Sequence, residues 1–347
     1  MFDTVKLGVP IMLSDQEIDD IQWIQTNSSQ RSSNSTGRTI FKSLHDRDYK
    51  GCPYIRYTYK EDDPTKCWLK VEVSIPTFLY GSNVYELQDG DIGTFFKVIR
   101  KYIAVKLKIP LSRVPSIGRC TVEKVHVCKN FNVGNQKQHY LRAMSSCNIA
   151  KYQKRHYCAV GSDKIESVEW SALKRKEKIY DKEAEMQQQK QTSINESHLK
   201  KAEGLLRYEI ELSDNEIRQI NMNRRASDVL NIDVATRLIQ KGLDRNGLSS
   251  GVKYTSLQQV IDAINQESIQ LRTKSSLIAF ATELLFNGED ECRNKYAPST
   301  FRKRKMQMKK ILGVDELLIG DKVLPPLNVF QRQKKTASVL AKQQTAQ

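Results

Sequence analysis

The hydrophobic period of this chain changes once, near residue 213, and that change limits the folds open to it. Before it, apolar and polar residues alternate. Trp68-Leu69-Lys70-Val71-Glu72-Val73-Ser74-Ile75 is the cleanest case, and Tyr54-Ile55-Arg56-Tyr57-Thr58-Tyr59-Lys60 adds aromatic enrichment. Residues 121–131 and 166–170 keep the same period, and the N-terminal MFDTVKLGVPIML reads as a strand. A period of two puts every second side chain on one face of a sheet. One helix is expected over residues 91–106. A second is expected to begin just after Tyr180 and to run through Gln187-Gln188-Gln189-Lys190-Gln191 toward Lys201. Strands and helices mixed in this order predict an α+β fold with a largely antiparallel sheet. No internal repeat is visible.

After Leu212 the pattern is helical. Ser213-Asp214-Asn215-Glu216 has the spacing of a capping box, in which the serine and glutamate side chains satisfy each other's backbone amides. Residues 256–266 and 274–286 read as amphipathic helices. Residues 299–312 form the last strong helix, stopped by Gly313. From Arg332 onward the chain is Gln, Lys, Thr and Ala, a composition that predicts disorder. The expected division is therefore a sheet-bearing domain over 1–212, a smaller all-helical domain over 213–318 and an extended tail over 319–347.

Charge narrows the partners. Against 40 Asp and Glu stand 56 Lys and Arg, a formal net charge of +16. Such an excess favours polyanions, either nucleic acid or an anionic membrane surface, without fixing a fold. No run of 18 apolar residues is present, so no bilayer-spanning helix is expected. The N-terminus has no basic leader and no small-residue cleavage site, so a secretory signal is not expected. Seven cysteines, with no CxxC, suit a reducing compartment. His126/Cys128 and His156/Cys158 would each share a face of an extended chain. That geometry admits zinc, although buried reduced cysteine is the commoner case.

The residues that carry chemistry lie on two strands and one short segment. In Leu205-Leu206-Arg207-Tyr208-Glu209-Ile210-Glu211-Leu212 the apolar residues take one face, and Arg207, Glu209 and Glu211 the other. A solvated sheet face is the plain explanation. Lys124, His126 and Cys128 likewise share a face, where a lone histidine is more often a hydrogen-bonded structural residue. If the two strands converged, imidazole and carboxylate would suit Mg²⁺ or Mn²⁺. Tyr180 is one of 14 tyrosines, most of which pack. Its flanks, Lys178 and Lys182, are cations, and a phenol with an ordinary pKa of about 10 is pushed toward the nucleophilic phenolate by such neighbours. In the last helix Arg302, Lys303, Arg304, Lys305, Lys309 and Lys310 would lie along a DNA backbone, enter a major groove, or form a solvated basic face. No GxxxxGK[ST] phosphate loop occurs.

Several segments in one order carry a resemblance. They are Val71-Glu72-Val73 through Phe78-Leu79-Tyr80-Gly81-Ser82-Asn83-Val84, then Val125-His126-Val127, then Tyr180-Asp181-Lys182-Glu183-Ala184-Glu185, then Leu206-Arg207-Tyr208-Glu209. This order resembles the gene II replication initiators of filamentous phages and their plasmid relatives over most of residues 1–212. It continues more weakly into the basic helix and Gly313-Val314-Asp315. The resemblance implies a site-specific nickase that starts rolling-circle replication in the cytoplasm of a bacterial host. Its partners would be origin DNA, double- and single-stranded, with the host replication helicase and polymerase, and no membrane. Tyr180 would be the nucleophile, forming a 5′-phosphotyrosine, and Lys182 would neutralise phosphate charge. Glu209 would be a ligand of Mg²⁺ or Mn²⁺, with His126 standing where an aspartate is expected. Arg207 would contact phosphate or form a structural salt bridge. Two other readings stay open: a non-catalytic DNA-binding regulator or decayed initiator, and a relaxase-type mobilisation protein.

Overall fold

A computed structural model describes residues 1–29, 38–45, 51–63, 65–188 and 196–330. The first elements are β1 (Phe2–Val9), α1 (Asp15–Asp20), β2 (Gln25–Ser29), β3 (Thr39–Leu44), β4 (Tyr54–Lys60) and β5 (Cys67–Ser74). Next come α2 (Ile75–Tyr80), α3 (Asp91–Lys106), β6 (Thr121–Asn132) and α4 (Lys137–Ser146). The middle holds β7 (Gln153–Cys158), β8 (Ile165–Ser171), β9 (Arg175–Asp181), α5 (Lys182–Gln188), α6 (Glu196–Ala202) and β10 (Leu205–Ser213). The rest are helices: α7 (Asp214–Ile220), α8 (Ala226–Val229), α9 (Ile232–Arg245), α10 (Leu257–Gln266), α11 (Leu271–Lys295) and α12 (Pro298–Leu312). The strands follow the order β2-β3-β4-β5-β1-β6-β10-β9-β8-β7. The fold is α+β, with an antiparallel sheet and a helical C-terminal region.

The expected helix over 91–106 and the expected strand over 54–60 have the observed bounds. Of the helix expected to run from Tyr180 toward Lys201, α5 covers Lys182–Gln188 and α6 Glu196–Ala202, and residues 189–195 lie outside the described residues. The tail expected from Arg332 also lies outside them. Helix α7 begins where the capping box placed it, but Ser213 forms no side-chain cap bond. The reciprocal box is found at α1, where Ser14 N–H donates to Glu17 and Glu17 N–H donates to Ser14.

Two compact units divide the chain. One holds Met1–Cys128 with Glu211–Ala235, and the other holds Lys129–Ile210 with the described chain from Thr236 onward. Both are discontinuous in sequence.

In the first unit β1 lies between β5 and β6. Val5 faces Val73, Leu7 faces Val71 and Val9 faces Leu69 across one ladder, while Ile55 faces Val71 on the next. These side chains are buried, each stabilising the fold by about 1.5–3 kcal/mol relative to exposure. Alternate rows carry Lys6 against Glu72 and Gly8 against Lys70, so one face is apolar and the other polar. Helix α3 buries Phe95, Ile99 and Ile103, one stripe four residues apart.

In the second unit β7, β8 and β9 form consecutive antiparallel pairs. Helix α4 packs on β8 and buries Tyr140, Leu141 and Met144. Val168 and Trp170 of β8 are wholly buried, and Trp170 Nε1 donates to the Cys147 carbonyl at 3.0 Å. A separate cluster joins α10, α11 and α12 through Val260, Ile264, Leu277, Phe280, Phe301 and Met308. Phe280 meets Tyr296 and Phe301 edge-on, with centroids 5.4 and 5.5 Å away. Pro298 opens α12 and Gly313 closes it at φ 64°, a left-handed conformation that glycine adopts without strain.

Candidate active site

Strand β9 decides where Tyr180 points. Its register sets Tyr180 opposite Ser167 and Lys178 opposite Glu169. Alternation puts Tyr180 and Lys178 on one face and Ile179, wholly buried, on the other. The Tyr180 ring is 5% exposed, but its hydroxyl does not end in apolar packing. It donates to Glu209 Oε2 at 3.1 Å. Lys178 Nζ stands 4.7 Å from the ring centroid and Lys182 Nζ 5.9 Å, both within cation–π range. A phenol hydrogen-bonded to a carboxylate is the ground-state geometry from which the phenolic proton can be taken.

The next two residues fix the end of β9. Asp181 Oδ1 accepts from the amides of Glu183 at 3.1 Å and Ala184 at 3.3 Å, capping the first turn of α5. Lys137 of α4 donates to Asp181 Oδ1 and Glu183 Oε2, each at 2.8 Å. Burial works against the Lys137 charge, yet these two carboxylates hold its pKa above the ordinary lysine value. Lys182, expected beside the phosphate, is fully buried and donates to Glu185 Oε2 at 2.6 Å. Its cation reaches the tyrosine ring from inside the fold.

His126 belongs to the other unit. Its Nε2 lies 3.4 Å from Glu211 Oε2, while Lys124 Nζ holds Glu211 Oε1 at 2.8 Å. Adjacent ligands at about 2.1 Å from an octahedral ion are about 3 Å apart, close to the His126–Glu211 separation. Mg²⁺ commonly takes one or two protein ligands and completes its shell with water. His126 and Glu211 are thus the pair that could hold a divalent ion, with Lys124 as the competing cation. Among the described residues no group of three or more His, Cys, Asp or Glu is placed to hold a metal. The two His-x-Cys pairs therefore form no zinc site there. Cys128 is buried, and His156 and Cys158 are exposed on β7. Glu211 was expected on the polar face of β10 with Glu209, but the metal role implied by the resemblance was given to Glu209 alone.

Arg207 is 1% exposed, and its Nε donates to Asn130 Oδ1 at 2.7 Å. It points into the protein, away from any phosphate track on the surface. The six basic residues of α12 separate into two groups. Lys305 is held by Glu289 at 3.0 Å and Glu316 at 2.7 Å, Lys309 pairs with Asp315, and Arg304 donates to Gln307 at 3.0 Å. Arg302, Lys303 and Lys310 are exposed and, among the described residues, form no ion pair. Those three carry the helix's available charge.

Among the described residues no helix is long and apolar enough to cross a membrane. No curated protein and no solved structure matches the chain. A family model for the N-terminal part of a phage replication-associated protein matches residues 1–233 and so takes in β9, β10, Tyr180 and Glu209. The chain belongs to this family of replication-associated proteins, the initiators of rolling-circle DNA replication.

Proposed function

We propose that the protein is a metal-dependent nicking and joining enzyme for origin DNA, with Tyr180 as nucleophile. The hydrogen bond from Tyr180 to Glu209 carries this reading. Tyr180 Oη attacks the scissile phosphorus and its proton passes to Glu209. The bond from phosphorus to the 3′ oxygen breaks, and that oxygen leaves as a 3′-hydroxyl after taking up a proton. The 5′ end stays on the protein as a phosphotyrosine. A later 3′-hydroxyl attacks the same phosphorus, returns the phenol and joins the strand, so no nucleotide cofactor is needed. Lys178, over the ring, stabilises negative charge as it develops on the phenol oxygen. Glu209 then acts as proton acceptor, in place of the metal-ligand role that the resemblance implied. A divalent ion supplies Lewis-acid charge for a phosphate oxygen. With the ring 5% exposed, the hydroxyl must be uncovered before attack.

That low exposure favours the second reading, a DNA-binding regulator in which Tyr180 only packs. Supercoiled origin plasmid with Mg²⁺ separates the two. The nickase reading expects nicked circles with protein on the 5′ end. It expects both products to vanish in Tyr180→Phe with DNA binding retained, and nicking to fall about 10²–10⁴-fold in Glu209→Gln. Equal nicking by Tyr180→Phe would end the assignment.

A further inference from the structure

Strand β7 closes one end of the strand order, and its outward residues continue the row that contains Tyr180. Tyr157 pairs with Ser167, and Ser167 pairs with Tyr180. Residues directly opposite on neighbouring strands share a face, so Tyr157, Ser167 and Tyr180 form one row. The neighbouring row is Arg155, Glu169 and Lys178. Ser167, between the two rings, is 8% exposed, so the row opens to solvent at its Tyr157 end. Neighbouring strands lie about 4.8 Å apart, which puts Tyr157 about 10 Å from Tyr180 in the backbone. That span is roughly three stacked-base rises of 3.4 Å, and fewer nucleotides of an extended strand.

Exposure and charge at the β7 end of the rows fit one ligand. Tyr157 is 48% exposed and Arg155 is exposed. Glu169, the acidic member, is answered by Lys176 at 3.4 Å and by Ser171 Oγ at 2.8 Å. Arg155 and Lys178 are left as the cationic members, and Tyr157 as a half-exposed aromatic face beside them. Single-stranded DNA offers unstacked bases to such a ring and phosphates to such cations, whereas a paired duplex hides its base faces.

We propose that the exposed β7 end of this face is a track for single-stranded DNA. Tyr157 stacks a base within about three nucleotides of the phosphate at Tyr180, and Arg155 contacts the backbone. The role of Tyr180 here rests on the nickase reading; strand binding does not. Fluorescence anisotropy of labelled oligo-dT, measured in a Tyr180→Phe background, tests the track without any cleavage. Tyr157→Ala is expected to weaken binding about tenfold, and Tyr157→Phe to retain it. Arg155→Ala should weaken binding and lower the salt slope by about 0.7. An oligonucleotide carrying 5-iodouracil should crosslink to Tyr157. Unchanged affinity in Tyr157→Ala, or crosslinks that bypass Tyr157, would overturn the track. If the unaltered protein forms no adduct with origin DNA while the Tyr157 pattern holds, the nickase reading fails and the track stands.

Discussion

Glu177 has no exposed surface, yet four polar side chains gather around it. Arg175 Nε donates to its carboxylate at 2.8 Å, Arg245 and the Tyr208 hydroxyl also donate to it, and Asn246 Nδ2 donates to Tyr208 Oη at 3.2 Å. Burial, then the Glu177 charge, pushes the Tyr208 phenol well above its ordinary pKa. Neutralising the carboxylate would leave guanidinium groups facing a buried, uncompensated site, a change that costs about 3–5 kcal/mol. Glu177→Gln should therefore lose that much in urea unfolding, and a loss below about 1 kcal/mol would refute the view that this carboxylate holds the cluster. The same residues show how far the site was legible. Alternation assigned Tyr208 to the apolar face and Glu209 to the other, as observed. It could not find Glu177, because Arg175-Lys176-Glu177-Lys178 reads as a solvated charge run until Tyr208 and Arg245, each more than 30 residues away, are in place. Lys182 misled for a related reason: a cation beside the tyrosine in sequence finds its carboxylate at Glu185, one helical turn on.

At the scale of elements, boundaries were legible where hydrophobic period alone sets them, as in β4, β5, α3 and α12. They were hidden where charge masks the period. Strands β7 and β9 are dense in Lys and Arg, so neither showed an apolar alternation, although β9 carries Tyr180. The start of α5 is set by Asp181, whose side chain takes the amides of Glu183 and Ala184. Because Asp181 follows Tyr180 directly, the cap also fixes the backbone that holds Tyr180. Asp181→Ala should cost about 1–2 kcal/mol and expose those two amides to hydrogen exchange. Asp181→Asn keeps an acceptor for the cap while losing the Lys137 ion pair, so it should preserve amide protection better than alanine. Equal exchange in both variants would show that the carboxylate's charge, and not its capping geometry, holds this junction.

For the whole molecule, buried phenols set the alkaline limit of stability. Tyr57, Tyr140 and Tyr208 are each at most 1% exposed. Burial is the main reason the pKa of each is raised: Tyr140 is pushed up to about 12, and Tyr57 and Tyr208 are raised as well. In the unfolded chain the same phenols ionise near pH 10. Below that pH both states keep the proton and stability is unaffected. Above it the unfolded chain loses protons that the folded chain holds, so stability falls with each further step until the folded values are reached. One such group changes stability by about 1.4 kcal/mol per pH unit, and three together by about 4. A fold stabilised by about 5–15 kcal/mol cannot absorb that slope far. Unfolding is therefore expected within a few pH units above 10, accompanied by a step in phenolate absorbance as the buried tyrosines ionise. If phenolate absorbance instead rose smoothly with the far-ultraviolet signal unchanged, these phenols would be ionising in place and burial would not be what holds their protons.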